Sequence, residues 1–228
     1  MYPRICKWPG LYLAQALSLA LSLGMASTAK AAPEIAQLYA SKLPEGSAWV
    51  RVVNPSDTAV QVRVDQSTDF ALSAQSVVAS PFQVVDSRQP VHVTVNGREI
   101  KGLNVPKNAW VTLILDRNPA NPPRLVVDPP VRGKDLRAEL NIYNLSAGCE
   151  TANIQLANGA SVFNQLPFNG QAQRTINPVQ ATLIANCGKA ASLPLKLEPF
   201  NASDRYSLFL IGSSQSPRLI GLVDQTAQ

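Results

Sequence analysis

The chain has 228 residues, of which 46% are apolar and 15% charged, enough to fill the cores of one or two domains and too apolar for a disordered polymer. The formal net charge is +5, but three of the 20 basic residues (Arg4, Lys7 and Lys30) and none of the 15 acids lie in the first 31 positions. The remainder carries 17 basic against 15 acidic residues, a net +2 with no basic stripe, which removes the support for nucleic-acid binding.

Arg4 and Lys7 precede an apolar run over residues 11–25, and Ala29-Lys30-Ala31 follows in the small-x-small pattern. This predicts a secretory signal peptide over residues 1–31, cut before Ala32, and an exported mature chain that does not span the membrane. The competing reading is an uncleaved anchor, for which the run is short, since a span needs about 20 apolar residues. Eighteen prolines, many between apolar runs, favour strands and turns over long helices.

Residues 32–45 lead into the fold. Ala48, Val50 and Val52 then alternate with Trp49, Arg51 and Val53, so the first set faces a core and the second faces outward. The turn Asn54-Pro55-Ser56-Asp57 leads to Val60-Gln61-Val62-Arg63-Val64, and the two strands read as a hairpin. Val91-His92-Val93-Thr94-Val95 runs into Asn96-Gly97, the strongest short hairpin signal. Trp110-Val111-Thr112-Leu113-Ile114 is apolar on both faces and reads as a central strand, and Pro123-Arg124-Leu125-Val126-Val127-Asp128 as the last of the set.

The same order then returns at offsets of about 90 residues. Ala138-Glu139-Leu140-Asn141-Ile142-Tyr143-Asn144-Leu145-Ser146 echoes the first strand and turn. Thr182-Leu183-Ile184-Ala185, Tyr206-Ser207-Leu208-Phe209-Leu210-Ile211 and Pro217-Arg218-Leu219-Ile220 echo the later ones. The fold class expected is all-β, with two tandem antiparallel β-sandwich domains, immunoglobulin-like in architecture, arising from an internal duplication. The boundaries are 32–128 and 135–228, joined by a Pro-stiffened linker over 129–134.

Candidate chemistry is sparse. Cys149 and Cys187 form an even pair in an exported chain, read as a disulfide, with two buried free thiols as the other reading. The single histidine, His92, sits on the polar side of its strand and reads as a surface residue. No catalytic, metal or cofactor set is assigned: the nucleophile-elbow, phosphate-loop and dinucleotide patterns are absent, and one His with two distant Cys cannot supply a zinc set. Asn144-Leu145-Ser146 and Asn201-Ala202-Ser203 match the glycosylation acceptor pattern, but read better as turns. Trp49, Arg51 and Val53 form the best candidate partner-binding surface, an outward aromatic beside an arginine, unless Trp49 packs beneath another part of the chain.

Several segments resemble the AlgF family of alginate O-acetylation proteins. They are Leu38-Tyr39 with Pro44-Glu45-Gly46-Ser47-Ala48-Trp49-Val50-Arg51-Val52-Val53-Asn54, then Pro123-Arg124-Leu125-Val126-Val127-Asp128-Pro129-Pro130, then Arg174-Thr175-Ile176-Asn177-Pro178-Val179. The matches fall in order and span nearly the whole mature chain. The resemblance implies a periplasmic, non-catalytic adaptor that links a membrane-bound O-acyltransferase to periplasmic O-acetyltransferases acting on mannuronate hydroxyls. Its alternatives are the equivalent accessory role in cellulose acetylation and a module that presents polysaccharide to the acetyltransferase. Asp128 stands where the family pattern has Glu, and the Cys149/Cys187 pair is not part of that pattern.

Overall fold

The computed structural model describes residues 44–129, 137–177, 180–199, 201–202 and 204–226. The expected signal peptide, the leader apart from Pro44 and Glu45, and the expected linker apart from Pro129 lie outside the described residues. No helix among the described residues is long and apolar enough to cross a membrane.

Among the described residues the first half holds eight strands: β1 (Ser47–Val53), β2 (Val60–Val64), β3 (Phe70–Leu72), β4 (Gln83–Asp86), β5 (Val91–Val95), β6 (Arg98–Leu103), β7 (Trp110–Ile114) and β8 (Arg124–Asp128). The second half holds β9 (Ala138–Asn144), β10 (Thr151–Leu156), β11 (Ser161–Pro167), β12 (Gln171–Ile176), β13 (Thr182–Cys187), β14 (Ala190–Ala191), β15 (Leu195–Lys196), β16 (Arg205–Gly212) and β17 (Pro217–Val223). Strand order in the first half is β4-β1-β7-β8 in one sheet and β3-β2-β5-β6 in the other. In the second half it is β12-β9-β16-β17 and β11-β10-β13-β14, with β15 also on β13. Position by position the two orders are the same, which is the all-β tandem sandwich that the echoing strands predict.

Two expectations change. β1 does not form a hairpin with β2; its neighbours are β4 and β7, and β2 lies in the opposite sheet. The turn after β1 carries the chain across the sandwich rather than back along it, so the valines of β1 and β2 meet across a core instead of side by side. The sheets are also not wholly antiparallel: β1 pairs with β7, and β9 with β16, in parallel.

The crossing turn explains the repeated Asn-x-Ser. Asn54 Nδ2 donates to Thr58 O at 2.9 Å and Leu72 O at 2.8 Å, while its Oδ1 accepts from Ser56 N at 3.0 Å. Asn144 repeats this with Cys149 O at 3.0 Å, Leu166 O at 3.2 Å and Ser146 N at 3.3 Å. Each side chain closes its own turn and ties it to a strand of the facing sheet, which a glycosylation site could not do, since Asn144 is fully buried. Replacing Asn144 with alanine strands two buried carbonyls and is expected to cost about 1–3 kcal/mol. Urea unfolding should show a lower midpoint at unchanged slope; an unmoved midpoint contradicts this role.

Elsewhere the local chemistry acts as read. Asn96 (φ 50°) and Gly97 (φ 76°) both adopt the left-handed backbone that a two-residue hairpin between β5 and β6 requires. Cys149 and Cys187 are joined as a disulfide that ties the β9–β10 connection to the end of β13, inside the second core.

Three cores stack in sequence. One fills the first sandwich around Val50, Val52, Val62 and Leu113. One fills the second around Leu140, Ile142, Ile154 and Leu208. The third lies between the sandwiches, where Val53, Ile114 and Val126 meet Tyr143, Phe209 and Ile211. The molecule is therefore four sheets deep, and its two central sheets are buried on both faces, which is why β7 and β16 carry apolar residues on both sides.

Candidate functional site

The two central sheets meet through the residues that alternation turns away from each sandwich core. Parallel pairing sets these residues level. Trp49 lies beside Trp110, Arg51 beside Thr112 and Val53 beside Ile114. Across the interface, Glu139 lies beside Arg205, Asn141 beside Ser207 and Tyr143 beside Phe209.

Arg51 is the centre of the arrangement. It is only 2% exposed, and its guanidinium is satisfied on all three nitrogens. Nη1 donates to Asp224 Oδ1 at 2.7 Å, Nε to Thr112 Oγ1 at 3.0 Å, and Nη2 to Tyr143 OH and Ser207 Oγ, both at 2.9 Å. Each of those hydroxyls then donates to a carboxylate. Thr112 Oγ1 and Tyr143 OH reach Asp128 at 3.0 and 2.5 Å, and Ser207 Oγ reaches Asp224 at 3.0 Å. Three hydroxyls thus relay one guanidinium charge to two buried aspartates, with every hydroxyl both accepting and donating. Phe82 lies 4.4 Å from the guanidinium carbon, adding a cation–π contact.

Arg205 is the second cation. It bonds Asp224 at 3.2 Å and stands 3.5 Å from Asp128 and 3.7 Å from Glu139. Its guanidinium carbon sits 5.0 Å over Trp110, which stacks flat on Trp49 at 4.5 Å. The tryptophan pair closes one side of the cluster, and Val53, Ile114 and Phe209 close the other.

Burial lowers the Arg51 pKa, but Asp224, Tyr143 and Asp128 more than offset it, so the guanidinium ends above its ordinary value. Burial pushes the Asp128 carboxyl up despite the pull of Arg51, Tyr143, Arg205 and Thr112. The geometry accounts for both directions. Asp224 touches Arg51 directly, whereas Asp128 stands 3.9 Å from it and is reached mainly through hydroxyls. Burial likewise drives the Tyr143 phenol well above its usual range.

A testable pH dependence follows. Because the folded Asp128 value lies above the unfolded one, its contribution to stability is fully present below the ordinary aspartate range and is lost as pH rises through the folded value. In the melting temperature of the parent minus that of Asp128→Asn, other titrations cancel. That difference should fall as pH rises above the ordinary aspartate range. A difference that rises with pH would show a carboxylate held below its ordinary value.

The candidate partner surface is corrected by this placement. Trp49, Arg51 and Val53 do point away from the first core, but that direction leads into the second half. Arg51 and Val53 are buried, and Trp49 alone keeps partial exposure. The sequence reading missed Thr112, Asp128, Tyr143, Arg205, Ser207 and Asp224. The available signal was polar residues at matching outward positions on the central strands (Thr112, Tyr143, Arg205 and Ser207) and an aspartate at or just past the end of the last strand of each half (Asp128 and Asp224).

The cluster is sealed. Four surface cavities of 290–490 Å³ reach none of its charged or hydroxyl side chains, and one of them touches only the outer wall residue Ile114. His92 is exposed and its ring Nδ1 lies 2.6 Å from Glu99 Oε1. Among the described residues no group of three or more His, Cys, Asp or Glu could hold a metal ion.

Residues 20–200 match the family model described as "Alginate O-acetyl transferase AlgF". Relatives named "Alginate biosynthesis protein AlgF" include that of Pseudomonas aeruginosa, 29% identical over 86% of this chain and 87% of the relative. That of Azotobacter vinelandii is 28% identical over 89% of both chains, and that of Pseudomonas putida 25% identical over 90% and 91%. A solved structure of the C-terminal domain of AlgF from P. aeruginosa aligns with 39% of this chain and 98% of its own at a TM-score of 0.34 and 21% identity.

Proposed function

This chain belongs to the AlgF family, which places it in alginate O-acetylation, and on that footing we propose that it is a non-catalytic adaptor exported to the periplasm. In this role it holds the acetylating enzymes together: a membrane-bound O-acyltransferase that supplies acetyl groups outward, and periplasmic O-acetyltransferases that place them on mannuronate O-2 or O-3.

The observation that supports an adaptor is the use of the ionisable residues at the centre of the molecule. An acetyl-transferring site needs a nucleophile, a base and room for an acyl group and a sugar hydroxyl. Here the serine, tyrosine and aspartates that could take such roles have their hydrogen bonds committed to Arg51 and are packed between two sheets. Chemistry that fixes two sandwiches to each other suits a rigid body that presents several surfaces at fixed separation.

The experiment is acetyl content per sugar, with polymer yield, in a strain lacking the gene, beside an acetyl-transfer assay on the purified chain. The adaptor reading expects acetyl to fall to background while yield holds, and the purified chain to transfer none to polymannuronate. Transfer by the purified chain would make it a transferase, and unchanged acetylation would remove it from the pathway.

A further inference from the structure

The connection between β7 and β8 breaks the likeness of the two halves. It runs over nine residues, 115–123, whereas its counterpart between β16 and β17 takes four, 213–216. The longer loop is internally braced. Asp116 Oδ1 accepts from Asn118 N at 2.8 Å and Asn121 Nδ2 at 3.1 Å, Asn118 Oδ1 accepts from Ala120 N at 3.0 Å, and Arg98 Nη2 donates to Pro119 O at 2.6 Å. The loop walls three adjoining cavities of 380, 290 and 440 Å³, all of which share Arg117. Together they make one furrow that runs from the first half onto the second.

The furrow has an excess of positive charge that its own acids offset only in part. Four arginines line it (Arg98, Arg117, Arg124 and Arg218) against two aspartates. Both acids are already engaged, Asp116 within its loop and Asp57 with Arg218 at 3.1 Å. The other three arginines hydrogen-bond only neutral oxygens, although Asp116 and Asp57 act on Arg117 from beyond ion-pair distance. Arg117 donates to Leu145 O at 2.6 Å and Gly212 O at 3.2 Å, Arg98 to Pro119 O, and Arg124 to Asn169 Oδ1 at 3.5 Å. None of the three has a carboxylate within ion-pair distance among the described residues. Arg117 Nε and Nη1 have no hydrogen-bond partner among them either. The floor of the first cavity is aliphatic, formed by Val60, Val95, Ile100 and Leu115.

Resting on the adaptor reading, we propose that this furrow is the docking site for an acidic peptide segment of an acetyltransferase partner. An aliphatic side chain of the segment fills the first cavity, and its carboxylates face Arg117, Arg98 and Arg124. Charge complementarity sets the sign of the occupant, and guanidinium groups bind carboxylates through paired hydrogen bonds. The aliphatic floor of the first cavity favours a peptide over a polyuronate, because a sugar chain has no apolar branch to fill it; the one aromatic of the furrow, Phe168, lies in the second cavity. The braced loop keeps the site formed before the partner arrives, which lowers the ordering cost of binding.

The test uses the full mature chain and the purified periplasmic acetyltransferases of the same acetylation system, with polymannuronate oligosaccharides as a second probe. Two variants attack the furrow in different ways: Arg98→Glu with Arg124→Glu reverses its charge, and Thr58→Trp fills the first cavity. Arg63→Glu, an exposed reversal on the outer sheet, is the control, and melting curves establish that all variants fold. The expected result is acetyltransferase binding that weakens with added salt, falls at least tenfold in both furrow variants and holds in the control. If the parent chain binds no acetyltransferase, the adaptor reading itself fails. If it binds and the furrow variants bind equally well, the adaptor stands and the furrow is not its docking site. Polymannuronate binding that the furrow variants abolish would make the occupant a polysaccharide and overturn the peptide.

Discussion

Replacing Arg51 with methionine is expected to remove about 3–5 kcal/mol of stability, the range for breaking a buried ion pair from one side. The loss does not come from the guanidinium's own attraction alone. Arg51 Nη1 is the direct partner of Asp224, and its other two nitrogens orient the hydroxyls that serve Asp128 and Asp224. Without it, two carboxylates remain between apolar sheets with Arg205 as the remaining cation in contact with both. For a chain of this size the melting temperature should fall by about 6–20 °C. The position adds a second signature. Since Arg51 belongs to the first half and Asp224 to the second, weakening their contact should split one cooperative transition into two. Pairing Arg51→Met with Asp224→Leu removes both charges and should recover part of the loss. A single unbroken transition within about 2 °C of the parent, under 1 kcal/mol on the same scale, would mean that the cluster does not hold the halves together.

Removing the disulfide through Cys149→Ala with Cys187→Ala is expected to cost about 4 kcal/mol, the chain-entropy value for the 38-residue separation it closes. Both sulfurs sit inside the second core, so the loss should be confined to that half. Hydrogen exchange is the discriminating measurement: amides of β10 and β13 should lose protection while those of β2 and β5 keep theirs. Equal loss in both halves would show that the halves unfold only together, and no loss would show that the second core closes without its crosslink.

Much of this architecture can be read from alternation. Ala48, Val50 and Val52, and their echoes Ala138, Leu140 and Ile142, do face the sandwich cores. The Asn-Gly hairpin and the central place of the two longest apolar strands are also local properties, set by φ > 0 at two residues and by apolar side chains on both faces. What alternation cannot say is what lies on the far side of a face. Arg51 is charged and points away from its core, and a charged residue in that position is normally solvated. It is buried because the matching face of the second half carries aspartate, tyrosine and serine at the heights that receive it, a correspondence between residues up to 173 positions apart. The mistaken hairpin has a similar cause. Asn-Pro-Ser-Asp is turn chemistry, but turn residues fix only that the chain bends, and the bonds from Asn54 to Leu72 that send it to the opposite sheet are non-local.

The parallel pairing of the first and seventh strands has a consequence for synthesis. β1 can pair with β4 early, but its other edge waits for β7, and its outer face then waits again. Arg51 finds its direct partner only at Asp224, 173 positions later. A chain that stops short of Asp224 therefore has an N-terminal sandwich with a charge at the face meant to be covered. Truncation before Asp224 is thus felt at Arg51, and a proteolytic system that recognises uncovered sheet faces would clear such chains without reading their ends.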